Sequence, residues 1–155
     1  MQSILFTPIG VIRSPFTVRA GMPIQPAGAQ NIRGTVELDK AFEEGLRDLD
    51  GFSHIELIYH FHGSVGFDLT VTPFMDTRPH GLFATRAPRR PNAIGLSVVR
   101  LVGIEGNILH VEGVDILDST PLLDIKPHVP RFAAPGEIRT GWLADQGDQS
   151  KTRKS

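Results

Sequence analysis

Apolar and polar residues alternate along most of this chain in short runs, the period-two signature of strands. The alternation predicts strands over Ile4–Ile12, Arg33–Leu38, Phe52–Phe61, Leu69–Pro73, Gly81–Thr85, Leu96–Ile104, Ile108–Val114 and Leu122–Ile125. The spacing changes at Lys40–Leu49, where Phe42, Leu46 and Leu49 recur at i, i+4, i+7 and Asp39 stands ready to cap. That stretch predicts one helix, with its apolar stripe packed on a sheet. Gly106-Asn107 lies between two strand patterns and predicts a hairpin turn, because both residue types tolerate positive φ. Met22–Gly34 is polar and rich in Gly, Pro and Gln, and reads as a loop of the length that often carries function. Asp145–Ser155 is polar and reads as a disordered tail whose Lys151, Arg153 and Lys154 suit either solvent or RNA. No internal repeat is present. Many short strands with little helix predict a mainly β domain over residues 1–144, built as a single-sheeted antiparallel β-barrel with one or two short helices.

Composition narrows the function classes. Of the 155 residues 40% are hydrophobic and 21% charged, which is ordinary for one globular domain. The formal net charge of -1 supplies no global basic field, so any RNA contact must rest on local clusters or on a surface built by dimerisation. The absence of cysteine excludes disulfides, thiolate metal sites and cysteine nucleophiles, and fits a reducing compartment. Met1–Thr7 lacks the pattern of a signal peptide, and no run approaches the ~20 apolar residues of a membrane span. A cytoplasmic location is the expectation.

Three segments concentrate chemistry. In Phe83–Gly95, Arg86, Arg89 and Arg90 sit among Pro88 and Pro91, between two predicted strands. The prolines stiffen the loop, and arginines on a stiff loop suit bidentate binding of carboxylate or phosphate; a basic turn with solvated arginines is the plainer alternative. In Leu117–His128, the turn Asp118-Ser119-Thr120-Pro121 offers hydroxyls and backbone N–H groups to a ligand. Beyond it, Asp124 and Lys126 share one strand face, opposite Leu123 and Ile125, as a solvated edge or a pocket wall. In Phe52–His62, Ile55, Leu57, Tyr59 and Phe61 share one face, and His54, Glu56, His60 and His62 the other. His60 and His62 with Glu56 form a weak metal-site pattern, since no H-E-x-x-H accompanies them. No GxGxxG after a strand, no GxxxxGK[ST] and no G-x-S-x-G occurs, which leaves Rossmann, P-loop and α/β-hydrolase readings unsupported.

Taken in order, Ile9–Pro15, Gln25-Pro26, Gly51–His54, Phe61-His62, Phe83–Arg86 through Gly95, and Asp118 through Pro127 closely resemble the TrmO (YaeB, TsaA-like) family, over about Phe6 to Pro130. The resemblance implies a single-sheeted β-barrel that binds S-adenosylmethionine (SAM) near a homodimer interface, without metal. It further implies methylation of N6 of threonylcarbamoyladenosine, next to the tRNA anticodon. It implies that Gln25, Pro26, Ala27, Gly28, His62, Gly63, Arg86 and Leu96 line the cofactor, and that Asp118, Ser119, Thr120 and Pro121 cradle it. The sequence departs from the family pattern at Ser119 (usually Gly), Ala93 (usually Pro) and His128 (usually Tyr), and ends before the C-terminal domain that many bacterial members carry. On this reading Arg86 and Arg90 bind the acceptor's carboxylate and nearby phosphate, and Asp124 accepts a proton with Lys126 balancing its charge. The alternatives are methylation of a small molecule or another RNA, and a non-catalytic SAM-binding regulatory module.

Overall fold

The computed structural model describes residues 1–18 and 31–144. Its strands are β1 (Gly10–Arg13), β2 (Arg33–Leu38), β3 (His54–His60), β4 (Thr70–Val71), β5 (His80–Gly81), β6 (Ile94–Glu105), β7 (Ile108–Glu112) and β8 (Thr120–Pro127). Six of them close into a barrel in the order β1-β2-β7-β6-β3-β8, and every neighbouring pair is antiparallel. β4 and β5 pair only with each other, inside a long excursion between β3 and β6. A short helix α1 (Pro130–Ala133) follows the last strand. Among the described residues no helix is long and apolar enough to cross a membrane. The mainly β barrel expected from the alternation is the fold.

The barrel interior is filled by the inward members of each alternating strand. Ile12, Val36, Ile55, Leu57, Leu109 and Leu122 are fully buried. Each such side chain contributes on the order of 1.5–3 kcal/mol through burial. The β6–β7 hairpin turns at Gly106, whose φ of 61° is the left-handed conformation glycine adopts at no steric cost. Asn107 then ties the turn to β2, donating from Nδ2 to the Leu38 carbonyl at 2.7 Å while its own carbonyl accepts from Leu38 N–H at 2.9 Å.

Four expectations change. The first strand starts at Gly10, not Ile4: its register stops at Leu38 on β2 and Leu122 on β8, and Ile9 adds one hydrogen bond to each side before the pairing ceases. Ile4, Leu5 and Phe6 are therefore exposed. The Lys40–Leu49 segment is a 3-10 helix over Lys40–Leu46, followed by a second over Leu49–Gly51. Asp39 does cap it, accepting from Ala41 N–H at 2.9 Å, and Leu46 and Leu49 are buried; Phe42 is half exposed, lining with them an open cavity beside Ile9 and Ile125. Gly81–Thr85 is strand only at its start. Leu82–Ala84 turn as 3-10 helix, with the Leu82 carbonyl accepting from both the amide and the hydroxyl of Thr85.

The fourth change is in β8. Its register against β3 shifts between Ile58 and Tyr59, so Asp124 lies opposite Ile58 while Leu122 lies opposite Tyr59. This irregularity reverses the frame at Leu123. Leu122, not Leu123, fills the core, and Asp124 and Lys126 face outward opposite Ile125 as the spacing requires.

Candidate functional site at one rim of the barrel

The turn before β8 is fastened to the end of β1. Asp118 accepts from Ser14 N–H at 3.1 Å and donates its own amide to the Phe16 carbonyl at 2.7 Å. Arg13 donates to the Ser119 hydroxyl at 2.8 Å. Ser119 holds φ at 66°, a left-handed conformation that costs a residue with a side chain about 1–2 kcal/mol, which explains why glycine suits this position. Thr120 is buried and donates to the Leu117 carbonyl at 2.6 Å, with His62 Nδ1 at 3.4 Å from the same hydroxyl. A Cβ added at Gly63 would touch Leu117 at 3.4 Å, so the chain beyond β3 lies against this turn. His62, Gly63 and the Asp118–Pro121 turn are thus brought together. Gln25, Pro26, Ala27 and Gly28 lie outside the described residues, as does the Asp145–Ser155 tail.

The three arginines each hydrogen-bond a backbone carbonyl; Arg86 and Arg89 remain exposed and Arg90 is half-buried. Arg86 donates to the Leu96 carbonyl at 3.0 Å. Arg89 donates to the Val65 carbonyl at 3.0 Å and pairs with Asp68 at 3.6 Å. Arg90 donates to the carbonyls of Thr85 and Ala87, each at 3.0 Å, and lies 5.8 Å from the centroid of the exposed Phe83 ring. The guanidinium forks therefore fix backbone carbonyls, and each retains N–H groups for a ligand.

Beside Arg86 lies a group that the spacing arguments overlooked. The Tyr59 hydroxyl is 2.8 Å from Ser97 Oγ, and Ser97 donates to Asp115 Oδ1 at 2.8 Å. Tyr59 is buried, and its phenol is pushed far above the ordinary range by burial first and by the Asp115 charge second. Burial also pushes the Asp115 carboxyl up, against the opposing pull of the Ser97 hydrogen bond, its own amide and the Arg86 charge. The hint in the sequence was one acid among apolar neighbours, Gly113-Val114-Asp115-Ile116-Leu117.

The remaining candidates scatter. Asp124 accepts from Ile125 N–H at 2.9 Å and pairs with Lys126 at 3.1 Å on the outer wall, both about half exposed. Glu56 binds His128 Nδ1 at 3.0 Å, His60 Nδ1 lies 3.2 Å from the Ala93 carbonyl, and His62 goes to Thr120. The suggested Glu56, His60 and His62 cluster is therefore not assembled, because β3 ends at His60 and His62 N–H bonds back to the His60 carbonyl. Among the described residues no group of three His, Cys, Asp or Glu side chains is arranged to hold a metal. A second overlooked set props up the excursion: Asp76 binds His80 Nε2 at 2.6 Å, His80 stacks on Trp142 at 4.5 Å, and Trp142 donates to the Ala84 carbonyl at 2.8 Å.

One rim thus combines an exposed apolar side chain, Leu96, with the Arg86 guanidinium, two carboxyls and a hydroxyl-lined turn. Such a set suits a zwitterionic ligand with an apolar portion. A family model described as the tRNA-methyltransferase O N-terminal domain matches residues 11–134. A Pyrococcus abyssi protein named "Probable S-adenosyl-L-methionine-binding protein" is 56% identical over 140 residues, spanning 90% of this chain and 76% of its own length. A Mus musculus tRNA (adenine(37)-N6)-methyltransferase is 36% identical over 143 residues, spanning 88% of this chain but only 33% of its own. The crystal structure of TrmO from Pseudomonas aeruginosa superposes with a TM-score of 0.76 at 42% identity, covering 91% of this chain and 63% of the other.

Proposed function

The chain belongs to the tRNA-methyltransferase O N-terminal domain family, and from that membership we propose that it is a SAM-dependent methyltransferase acting on N6 of the threonylcarbamoyladenosine beside the tRNA anticodon. The observation that carries this reading is the convergence of Arg86, Leu96, Asp115 and the Asp118–Pro121 turn on one rim within the matched region.

SAM presents a sulfonium cation, an amino-acid zwitterion and an adenosine. The rim's donor set fits each part. Arg86 suits the carboxylate, the Asp118 carboxyl suits a cationic group, and exposed Leu96 suits the adenine face. His62, Gly63, Ser119, Thr120 and Pro121 shape the wall, and Gln25, Pro26, Ala27 and Gly28 complete it in this reading. The bound cofactor supplies an activated methyl group. The protein's own task is then alignment: a rigid loop and a pinned turn hold the acceptor for in-line attack. Phe83, backed by Arg90, offers an exposed aromatic face of the kind on which bases stack. Arg90 and Arg89 serve the acceptor side through their remaining N–H groups. The exposed Ile4, Leu5 and Phe6 favour a homodimer, and the cysteine-free composition suits the cytoplasm.

The test is transfer from labelled SAM to tRNA with and without the threonylcarbamoyl group. Label in the modified tRNA alone is the expected result. Equal label in both would refute the acceptor, and label in neither would refute the activity.

A further inference from the structure

The methyl acceptor of the proposed reaction keeps a hydrogen on N6, and its lone pair is delocalised into a urea-like group. As the nitrogen forms its new bond to carbon, its N–H bond must break. The electron pair of that bond stays on nitrogen, and the proton needs a receiver. The methyl carbon leaves its old bond pair on sulfur, so charge balances once the proton is placed.

The described carboxyls near the rim differ in what already occupies them. Asp118 accepts from the Ser14 amide and the Ser119 hydroxyl, with Arg13 at 4.0 Å. Asp124 is neutralised by Lys126 on the outer wall, four residues along β8 from Thr120, or about 13 Å at the usual rise. Asp115 differs from both. It is half-buried at the rim, accepts from Ser97, and feels Arg86 from the arginine loop. Ser97 in turn meets the Tyr59 hydroxyl, whose ring is packed edge-on against Phe61 at 5.4 Å. A carboxylate so positioned has its orientation fixed by Ser97 and keeps partial exposure at the rim.

Resting on the methyl-transfer reading, we propose that Asp115 receives the N6 proton, oriented by the hydrogen-bonded chain through Ser97 to Tyr59. The groups that face it are Tyr59 from β3, Ser97 from β6 and Arg86 from the loop. Burial holds the Asp115 carboxyl above the usual carboxylate range, which makes it a better proton acceptor than a solvated aspartate. Arg86 opposes that shift and so favours the ionised form.

Two measurements on the whole chain test this. Carboxyl-labelled NMR, with the Asp115 resonance assigned by Asp115→Asn, should show it titrating above ordinary aspartate, and higher still in Ser97→Ala, which removes a hydrogen bond to the charged form. Single-turnover methyl transfer should rise with pH along the same limb, shift to higher pH in Ser97→Ala, and fall about 100-fold or more in Asp115→Asn with the limb lost. An Asp115→Asn variant with full rate and an unchanged limb overturns the proposal. So does an Asp115 carboxyl that titrates normally, or loss of rate and limb in Asp124→Asn while Asp115→Asn keeps both. If Asp115→Asn fails to fold, Ser97→Ala decides by the direction of its shift. A wild-type chain without transfer overturns the parent reading instead, and the NMR titration still decides whether Asp115 is the perturbed acid.

Discussion

Gly95→Ala is the sharpest probe of how the Tyr59 chain is held. Tyr59 and Gly95 are directly opposed across β3 and β6, and the phenol ring lies over the glycine. A Cβ there would sit 2.5 Å from Tyr59 Cζ, 2.8 Å from Cδ2 and closer still to Cε2. The ring has little room to retreat, being packed on Phe61 and bonded to Ser97. Overpacking in a filled core costs about 1–3 kcal/mol. Swinging the ring aside leaves the hydroxyl unpaired, for a further ~1–3 kcal/mol. A net loss of about 2–4 kcal/mol lowers the melting temperature by roughly 5–15 °C in a chain of this size. Gly103→Ala is the control: it lies on the same strand, an added Cβ meets nothing within 4 Å, and its effect should stay within about 0.5 kcal/mol. Thermal and urea unfolding of Gly95→Ala, Gly103→Ala, Tyr59→Leu and the Gly95→Ala/Tyr59→Leu double variant form a cycle. A coupling of at least about 1 kcal/mol between positions 95 and 59 is expected. Equal, small losses in Gly95→Ala and Gly103→Ala would refute the packing argument.

Other outcomes follow from single contacts. Ser119→Gly relieves the left-handed strain but loses the Arg13 bond, so a net gain of up to about 1 kcal/mol is expected by urea unfolding; a clear loss would show that the Arg13 bond outweighs the strain. Arg90→Lys replaces the planar fork, whose Nη1 serves both carbonyls, with a shorter and differently placed head, so amide exchange over residues 85–90 should speed up and SAM affinity fall, whereas unchanged exchange would count against the loop-stapling role. Asp76 is held down to about 2, first by the His80 hydrogen bond and then by the Thr77 and Arg78 amides and the Arg78 charge. Its folded value lies below its unfolded one, so its contribution is present above the ordinary carboxylate range and is lost as pH falls through that range toward about 2. Asp76→Asn should flatten that acid decline in unfolding midpoints; an identical slope would remove Asp76 as its cause. Trp142→Ala, which loses the His80 stack and the Ala84 bond, should quicken exchange over residues 80–84 and leave the barrel strands unaffected.

The barrel was legible because its strands obey a strict inside–outside alternation, as Ile55, Leu57 and Tyr59 show against His54, Glu56 and His60. Residue 123 was not, since a shift in pairing leaves no mark in composition; only the partner strand reveals that Leu122 takes the core. The first strand was overextended because alternation says nothing about whether a neighbour exists to pair with. The arginine loop was visible as charge and stiffness, but the carbonyls that Arg86, Arg89 and Arg90 bind come from Val65, Leu96 and the loop itself. Asp115 escaped notice because its partners, Ser97 and Tyr59, are 18 and 56 residues away in the chain and meet it only through barrel closure.

The excursion between β3 and β6 leaves and returns at adjacent points. His60 and Ile94 are direct partners, and Phe61 N–H bonds to the Ala93 carbonyl at 2.8 Å. Residues 61–93 therefore form a cassette that leaves and rejoins the ring at one point, with Arg86 on the Leu96 carbonyl and His62 beside Thr120 as further ties. Splicing them out for a two-residue turn, or swapping in a relative's version, would leave the six-stranded hydrogen-bond circuit intact. On the methyl-transfer reading, changes confined to that cassette would alter the acceptor side while the cylinder beneath it stays the same.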